Sequence, residues 1–498
     1  MFILSRNKFF KSLKQDIEEN KQNLMKYFFL LTFLFFTNCR YLPPIGEKYK
    51  KPETKMPAAW NSVKKDENSE FGEIEKNWWE NFQDPVLNKV IEQAVKNNHD
   101  FKIAQSRMVE ARANVTAATS ELAPKVNATA SAARKNNYIF PFAPNTHNIF
   151  NLFTAGFDAS WELDLFGANY RSKQSAKALL EASDEAKNYI LISLIAEVVK
   201  NYSDLRAAQN ELFLQKQIDA ARVTILELNE SKKSVGLLGD IDLGPIKIAM
   251  LDSKSDLFES EARVAIALYN LEFLLGKRPG EMKNFFGEIG EVPILRQGVI
   301  IDAPVSLLRN RPDIKQAERE FASATEMESY SIARIFPKIS LSGFFGFYNT
   351  KTQNLLQSSS RVFAVDSQIT MPILDFGGIF AGMKIADERK KQALIAYEKK
   401  VNKALLDVES SMISFVKESQ KFDLVIQSRD VQKMMHKLNY KRQNSGLMAQ
   451  VEYLQSQLNF LQSEKKLNSE RLEFAKKTVA LYKSLGGGWE VFLNSQKK

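Results

Sequence analysis

The residues able to do chemistry are few, and their spacing does not suit catalysis. Asp375-Phe376-Gly377 has the form of a kinase magnesium motif, but no Gly-rich loop, strand lysine or H-R-D block accompanies it. Gly486-Gly487-Gly488 follows no strand pattern and precedes no Lys-Ser/Thr pair, so it is not a phosphate cradle. Neither H-E-x-x-H nor G-x-S-x-G occurs. The three histidines, His99, His147 and His436, lie far apart, and no two have zinc-ligand spacing. The single cysteine, Cys39, cannot form an internal disulfide. No catalytic residue, metal site or cofactor is therefore expected. What remains is one thiol near the N-terminus and two carboxylates at matching places. Asp242 and Glu452 each stand six residues beyond a glycine, Gly236 (242−236) and Gly446 (452−446).

The thiol has a plain use. The apolar run YFFLLTFLFF over residues 27–36 is too short to span a bilayer, which takes about 20 apolar residues. It suits the core of a signal peptide. Met25-Lys26 supplies a start and a positive charge ahead of it. Phe36-Thr37-Asn38-Cys39 resembles a lipobox, with Asn38 where Gly, Ala or Ser is usual. This makes 1–38 a signal peptide, in which Met25 marks a candidate start and residues 1–24 are either an extended n-region or a misassigned start, and Cys39 the lipidated first residue of an extended segment over 39–76. The 44% hydrophobic content and mean hydropathy of −0.30 exclude a bundle of membrane-spanning helices. They do not exclude a β-barrel, whose alternating strands leave little trace in an average. The net charge of +10 raises nucleic-acid binding, but the cations are interleaved with acids and form no basic stripe. No nucleic-acid partner is expected.

The elements that position these residues come in two copies. Asp100-Phe101-Lys102-Ile103-Ala104 recurs as Asp313-Ile314-Lys315-Gln316-Ala317, and Pro124-Lys125-Val126 as Pro337-Lys338-Ile339, both at an offset of 213 (313−100, 337−124). Phe166-Gly167 recurs as Phe376-Gly377, and Gly236-Leu237 as Gly446-Leu447, at 210 (376−166, 446−236). Ordered matches at nearly one offset indicate a tandem duplication, with repeats over 77–290 and 291–485 and a tail over 486–498. Each repeat reads as helix, two strands, a glycine turn and a long helix pair. Pro124 and Pro337 end helices, because proline lacks an N–H and clashes with the preceding turn. Gly167 and Gly377 stand where strand becomes helix, a place for positive φ. Period-two alternation predicts strands at about 126–136, 151–163, 338–348 and 361–373, each with one apolar and one polar face. Leu447, Val451, Leu454, Leu458 and Leu461 step by 4, 3, 4 and 3, and the pattern returns at Leu472, Ala475, Val479 and Tyr482. That is a coiled-coil seam. Tips are expected at Gly236 and Gly446. The strand pattern suits a membrane barrel with a wet lumen. A small closed barrel needs about eight strands, so a four-stranded chain must oligomerise, and three copies would supply about twelve.

Longer motifs carry a resemblance. Tyr49, Pro52, Pro57 and Trp60 resemble the opening of mature outer-membrane efflux lipoproteins. Residues 78–87 (WWENFQDPVL) are similar to W-W-x-x-F-x-D-P-x-L, and residues 161–167 (WELDLFG) resemble a strand-to-helix signature. Residues 307–314 (LLRNRPDI) with Ala317-Glu318 resemble L-L-R-R-R-P-D-I-x-x-A-E, with Asn310 in place of an arginine. Residues 481–489 (LYKSLGGGW) are similar to a closing L-Y-x-x-L-G-G-G-W. The family resembled is the TolC family of outer-membrane efflux proteins, in its OprM- and NodT-like lipoprotein branch. The resemblance implies a mixed α and β fold. In it three chains build a twelve-stranded outer-membrane β-barrel and a periplasmic α-barrel of long antiparallel helices. It implies a non-enzymatic exit duct in a tripartite efflux system. The partners would be outer-membrane lipid, a periplasmic adaptor and an inner-membrane pump of the resistance-nodulation-division class. The alternatives are a duct for type I protein secretion and a non-channel coiled-coil envelope protein. The protein would be lipid-anchored in the outer membrane and project into the periplasm. Lys232, Lys233, Gly236, Leu237, Arg442, Gly446 and Leu447 would form the adaptor-docking tip. Asp242 and Glu452 would make a ring of carboxylates at the aperture that attracts cations and raises its own pKa values by mutual repulsion. In the family an aspartate and an arginine often lie slightly deeper on the last helix. Those places hold Gln455 and Leu458 here.

Overall fold

The computed structural model describes residues 44–61, 77–138, 147–283, 285–286, 290–295, 304–374 and 376–493. The expected signal peptide, Cys39, residues 62–76 and Asp375 lie outside the described residues. The elements run α1 (Pro85–Asn97), α2 (His99–Ser120), β1 (Lys125–Tyr138), β2 (His147–Leu163), α3 (Ala168–Ser234) and α4 (Asp240–Leu274). They continue as α5 (Pro312–Ala333), β3 (Lys338–Asn349), β4 (Arg361–Thr370), α6 (Phe376–Asn444) and α7 (Gln450–Leu485), with short helical turns between. At 1.5 Å per residue, the 67 residues of α3 and the 69 of α6 make helices roughly 100 Å long.

Two compact units are formed, each from separated stretches of chain. One takes Ala113–Lys177 and Ala322–Lys391 with the chain up to Lys50; the other takes Lys51–Arg112, Ala178–Phe321 and Gln392–Lys498. The first holds the sheet, in the order β1-β2-β3-β4, antiparallel throughout. β4 ends at Thr370 rather than at 373, because Pro372 has no N–H to give the ladder. Gly167 has φ 78, as a strand-to-helix turn requires. Gly377 differs: it lies inside α6 and keeps a negative φ, since that helix starts at Phe376. Asp164 caps α3 by accepting from Asn169 N at 3.0 Å and Tyr170 N at 2.7 Å. Arg171, in the first turns of α3, is buried. It donates to Glu326 Oε2 at 2.9 Å and to the carbonyls of Ile45 (3.1 Å), Gly46 (2.9 Å) and Pro44 (3.3 Å).

The second unit explains the long motifs as packing. Asp84 caps α1, its Oδ1 accepting from Val86 N at 2.9 Å and Leu87 N at 3.2 Å, and Pro85 fits the first helical position. Leu87, Val90, Ile91 and Ala94 then fall on one buried face. The second oxygen of Asp84 accepts from Tyr202 Oη at 2.6 Å, and Arg206 Nε donates to that Oη at 3.0 Å. Burial and the bond to Asp84 push the Tyr202 phenol well above its ordinary range, so it stays a donor. Trp78 stacks on Tyr482 with centroids 4.9 Å apart. Gly488, at φ 107, approaches the Trp78 and Trp79 rings so closely that a Cβ would lie 2.9 Å from Trp78 Nε1. Arg311 pairs with Asp313 at 2.8 Å and donates to Ser484 O at 2.9 Å. The opening, central and closing motifs thus meet in one core.

The seam on α7 is partly as the sequence reads. Leu454, Leu458 and Leu461 are buried against Leu214, Ile218, Ala221 and Ile225 of α3. Ala475, Val479 and Tyr482 are buried further along. Leu447 is not part of it, because α7 starts only at Gln450 and the leucine stands exposed in the preceding turn.

Candidate functional site

Residues facing each other across an antiparallel ladder share a face. One face of the sheet carries Val126, Ala128 and Ala130 on β1, Phe153, Ala155, Phe157 and Ala159 on β2, Leu341, Phe345 and Phe347 on β3, and Phe363, Val365 and Ile369 on β4. Its large side chains stand uncovered, with Phe157 57%, Phe363 81% and Val365 80% exposed. A contiguous apolar patch of this kind needs a partner or a lipid solvent. The other face carries Asn127, Thr129, Ser131, Thr154, Asp158, Ser160, Glu162, Ser340, Ser342, Asp366 and Gln368. Ser131 and Thr154 hydroxyls bond at 2.6 Å, and Lys338 pairs with Glu162 at 3.4 Å. Beyond Phe153, where β3 stops pairing, the alternation reverses: Leu152 and Phe150 share the polar face. β1 and β4 each have one edge unpaired in the sheet. No helix among the described residues is long and apolar enough to cross a membrane.

The two tips are near copies. Gly236 (φ 80) and Gly446 (φ 72) adopt the left-handed conformation that closes a helix. Gly236 N donates to Lys233 O and Leu237 N to Lys232 O, both at 2.9 Å. Gly446 N donates to Gln443 O and Leu447 N to Arg442 O, again at 2.9 Å. Leu237 and Leu447 are left 75% and 72% exposed. The side chains of Lys232 and Arg442 are exposed, and neither makes an ion pair among the described residues. Lys233 pairs with Asp240 across the first tip. At the same place in the second, 210 residues on, Gln443 Nε2 donates to Gln450 Oε1 at 2.7 Å. No local motif announces these clasps; only the repeat offset (443−233, 450−240) brings them into correspondence.

Asp242 and Glu452 are both exposed in the first turns of α4 and α7. Asp242 Oδ2 accepts from Gly239 N at 3.3 Å, the one half of a capping box that a glycine cap allows. Ala449 caps α7 without a side-chain bond. No hydrogen bond or ion pair joins Asp242 to Glu452 among the described residues. Leu458, one of the two deeper positions, is fully buried in the seam, and Gln455 Nε2 donates to Asn459 Oδ1 at 3.3 Å. His436 lies between the rings of Tyr453 and Phe460, at 5.4 and 5.3 Å, and burial holds its pKa below the usual value.

The sequence pattern of a family described as "Outer membrane efflux protein" matches residues 90–277 and 303–487. Nodulation protein T of Rhizobium leguminosarum bv. trifolii is 25% identical over 453 residues, 89% of this chain and 94% of that protein. The toluene efflux pump outer membrane protein TtgI of Pseudomonas putida is 26% identical over 475 residues, 93% of this chain and 98% of that one. The outer-membrane channel OprN superposes with a TM-score of 0.80 at 27% identity, over 90% of this chain and 99% of that one. The Campylobacter jejuni CmeC outer membrane channel superposes with a TM-score of 0.81 at 22% identity, over 92% and 98%, a likeness of fold.

Proposed function

Because the chain belongs to the outer membrane efflux protein family, we propose that it works as a homotrimer, the exit duct of a tripartite efflux system. It is a TolC-like outer-membrane channel of an efflux system and not an enzyme. The observation that carries the trimer is the sheet, with one face for lipid, one for water, and two open edges. Hydrocarbon cannot hydrogen-bond those edges. Pairing β4 of one copy with β1 of the next satisfies them, and three copies reach about the twelve strands of a wet-lumen barrel. The partners are a periplasmic adaptor and an inner-membrane pump of the resistance-nodulation-division class. Efflux relatives such as the toluene pump component favour this over a type I secretion duct. The chain is a tandem duplication, 77–290 and 291–485 with a tail over 486–498, and the matched tip clasps support that division. Cys39 is the lipid anchor. Mass analysis of the mature protein is expected to find an acylated N-terminal peptide starting there, and an unmodified or different N-terminus would remove the anchor.

The tips carry the contacts with the adaptor. Exposed Leu237 and Leu447, flanked by Lys232, Lys233 and Arg442 and shaped by Gly236 and Gly446, offer it two similar apolar knobs. Burying one leucine contributes on the order of 2 kcal/mol. Leu237→Asp with Leu447→Asp is therefore expected to weaken adaptor binding at least about tenfold and abolish efflux, with membrane insertion intact. Retained efflux would place docking elsewhere. Asp242 and Glu452, three of each in a trimer, form a carboxylate ring at the aperture. Asp242→Asn with Glu452→Gln is expected to lower cation selectivity in single-channel recordings; unchanged selectivity would reduce both residues to helix-start acids.

A further inference from the structure

The polar face of the sheet has an aromatic patch that a plain water-filled wall does not need. Phe344 and Tyr348 on β3 share the face of Asn127, Asp158 and Ser342, and their rings lie 5.0 Å apart at 36°. The tip of the Phe344 ring reaches over two glycines that face each other in register, Gly156 on β2 and Gly346 on β3. A Cβ at Gly156 would come 2.8 Å from Phe344 Cζ, and one at Gly346 would come 2.7 Å from it. The bare backbone therefore leaves room for the tip of the half-buried Phe344 ring above the two glycines, and Tyr348 beside it is 44% exposed on the same face. Around it stand two carboxylates. Asp158 is directly opposite Phe344 in register, and Asp366 shares the face on β4, opposite Ser342. Cross-strand and diagonal neighbours lie roughly 5 to 8 Å apart. Neither aspartate is in an ion pair among the described residues, whereas Glu162 on the same face is matched by Lys338.

A partly exposed aromatic pair beside carboxylates without an ion-pair partner attracts a cation that carries its own apolar surface, through the ring quadrupoles and the carboxylates together. We infer that Phe344, Tyr348, Asp158 and Asp366, on the floor made by Gly156 and Gly346, form a binding site for hydrophobic organic monocations in the barrel lumen, one per chain. The inference rests on the channel reading, since only in a lumen does this face meet solutes in transit. A held cation at this level retards its own passage and obstructs small ions, so the site appears both as binding and as current block.

Tetraphenylphosphonium is the probe, with tetraphenylborate as the anion of the same shape. Equilibrium dialysis against detergent-solubilised full-length protein gives binding, and bilayer recording gives block. Wild type is expected to bind and be blocked by the cation, with the anion at least tenfold weaker, by a cation–π effect of roughly that size. Phe344→Leu with Tyr348→Leu, and separately Asp158→Asn with Asp366→Asn, are each expected to raise the half-saturating concentration roughly tenfold, leaving small-ion conductance in place. Binding unchanged in both variants, or equal affinity for the anion, would overturn the site. Binding retained by a protein that conducts no current would overturn the channel reading and leave the site standing.

Discussion

Phe157→Lys is expected to keep the protein from assembling in the outer membrane, while Asp158→Lys, one residue on, leaves assembly intact. The two introduced lysines differ only in the face they occupy. Phe157 stands with Ala128 and Phe345 on the apolar face and is more than half exposed. Asp158 stands with Asn127 and Phe344 on the polar one. A lysine held against lipid near the middle of a strand costs about 2–4 kcal/mol. In a trimer that cost is incurred three times, so folded protein should fall below detection. A lysine facing a wet lumen keeps its hydration and alters ion preference and the cation site, but not assembly. The measurement is the amount of oligomer in outer-membrane fractions of cells expressing each variant. Equal yields would mean that the faces are assigned the wrong way or that the sheet meets no lipid.

Arg171→Met is expected to be the most destabilising single change outside the sheet. Arg171 is 2% exposed and serves Glu326 and three carbonyls of residues 44–46 at once. Ser329 Oγ adds a bond to Glu47 O at 3.1 Å, and a Cβ on Gly46 would lie 2.4 Å from that oxygen. The segment just after the expected anchor is therefore wedged against α5 and tied down through one guanidinium. Removing it leaves the Glu326 carboxylate buried without its cation, a loss of about 3–5 kcal/mol. Arg171→Met with Glu326→Met should recover much of the loss, since a well-packed apolar pair can match a buried ion pair. Thermal unfolding of the detergent-solubilised protein, followed by circular dichroism, checks the ordering of the two variants. A single variant as stable as wild type would show that the segment is held by other contacts.

The sheet was legible because strand alternation is written at period two and survives in any solvent. Phe153 to Trp161 and Ile339 to Phe347 read directly as two-faced strands. The alternation through Met371 reads equally well, yet Pro372 stops the ladder at Thr370, a reminder that a face pattern does not supply a donor. Leu447 fits the heptad steps but stands in the turn, because the glycine before it spends the leucine's N–H on closing α6. Gly377 follows the repeat of Gly167 and does not share its φ. The least legible features join residues distant in the chain. Nothing local to Arg171 announces residues 44–46, and nothing in the triple glycine announces Trp78, until the chain brings them together. The aromatic patch was hidden for the same reason. Phe344 reads as a break in alternation, and its meaning depends on a glycine from the other repeat. The candidate tip residues could be found from the duplicated Gly-Leu alone, but the clasps beside them needed the register of one tip against the other.

The channel requires that copies of this chain enclose an aqueous path through the outer membrane. Its most direct measurement is the current through a planar lipid bilayer after addition of purified full-length protein with its helix content verified. The expected result is stepwise, lasting conductance carried by small ions, with each step representing one assembled oligomer. Well-folded protein that inserts and yields no current under any applied voltage would contradict it.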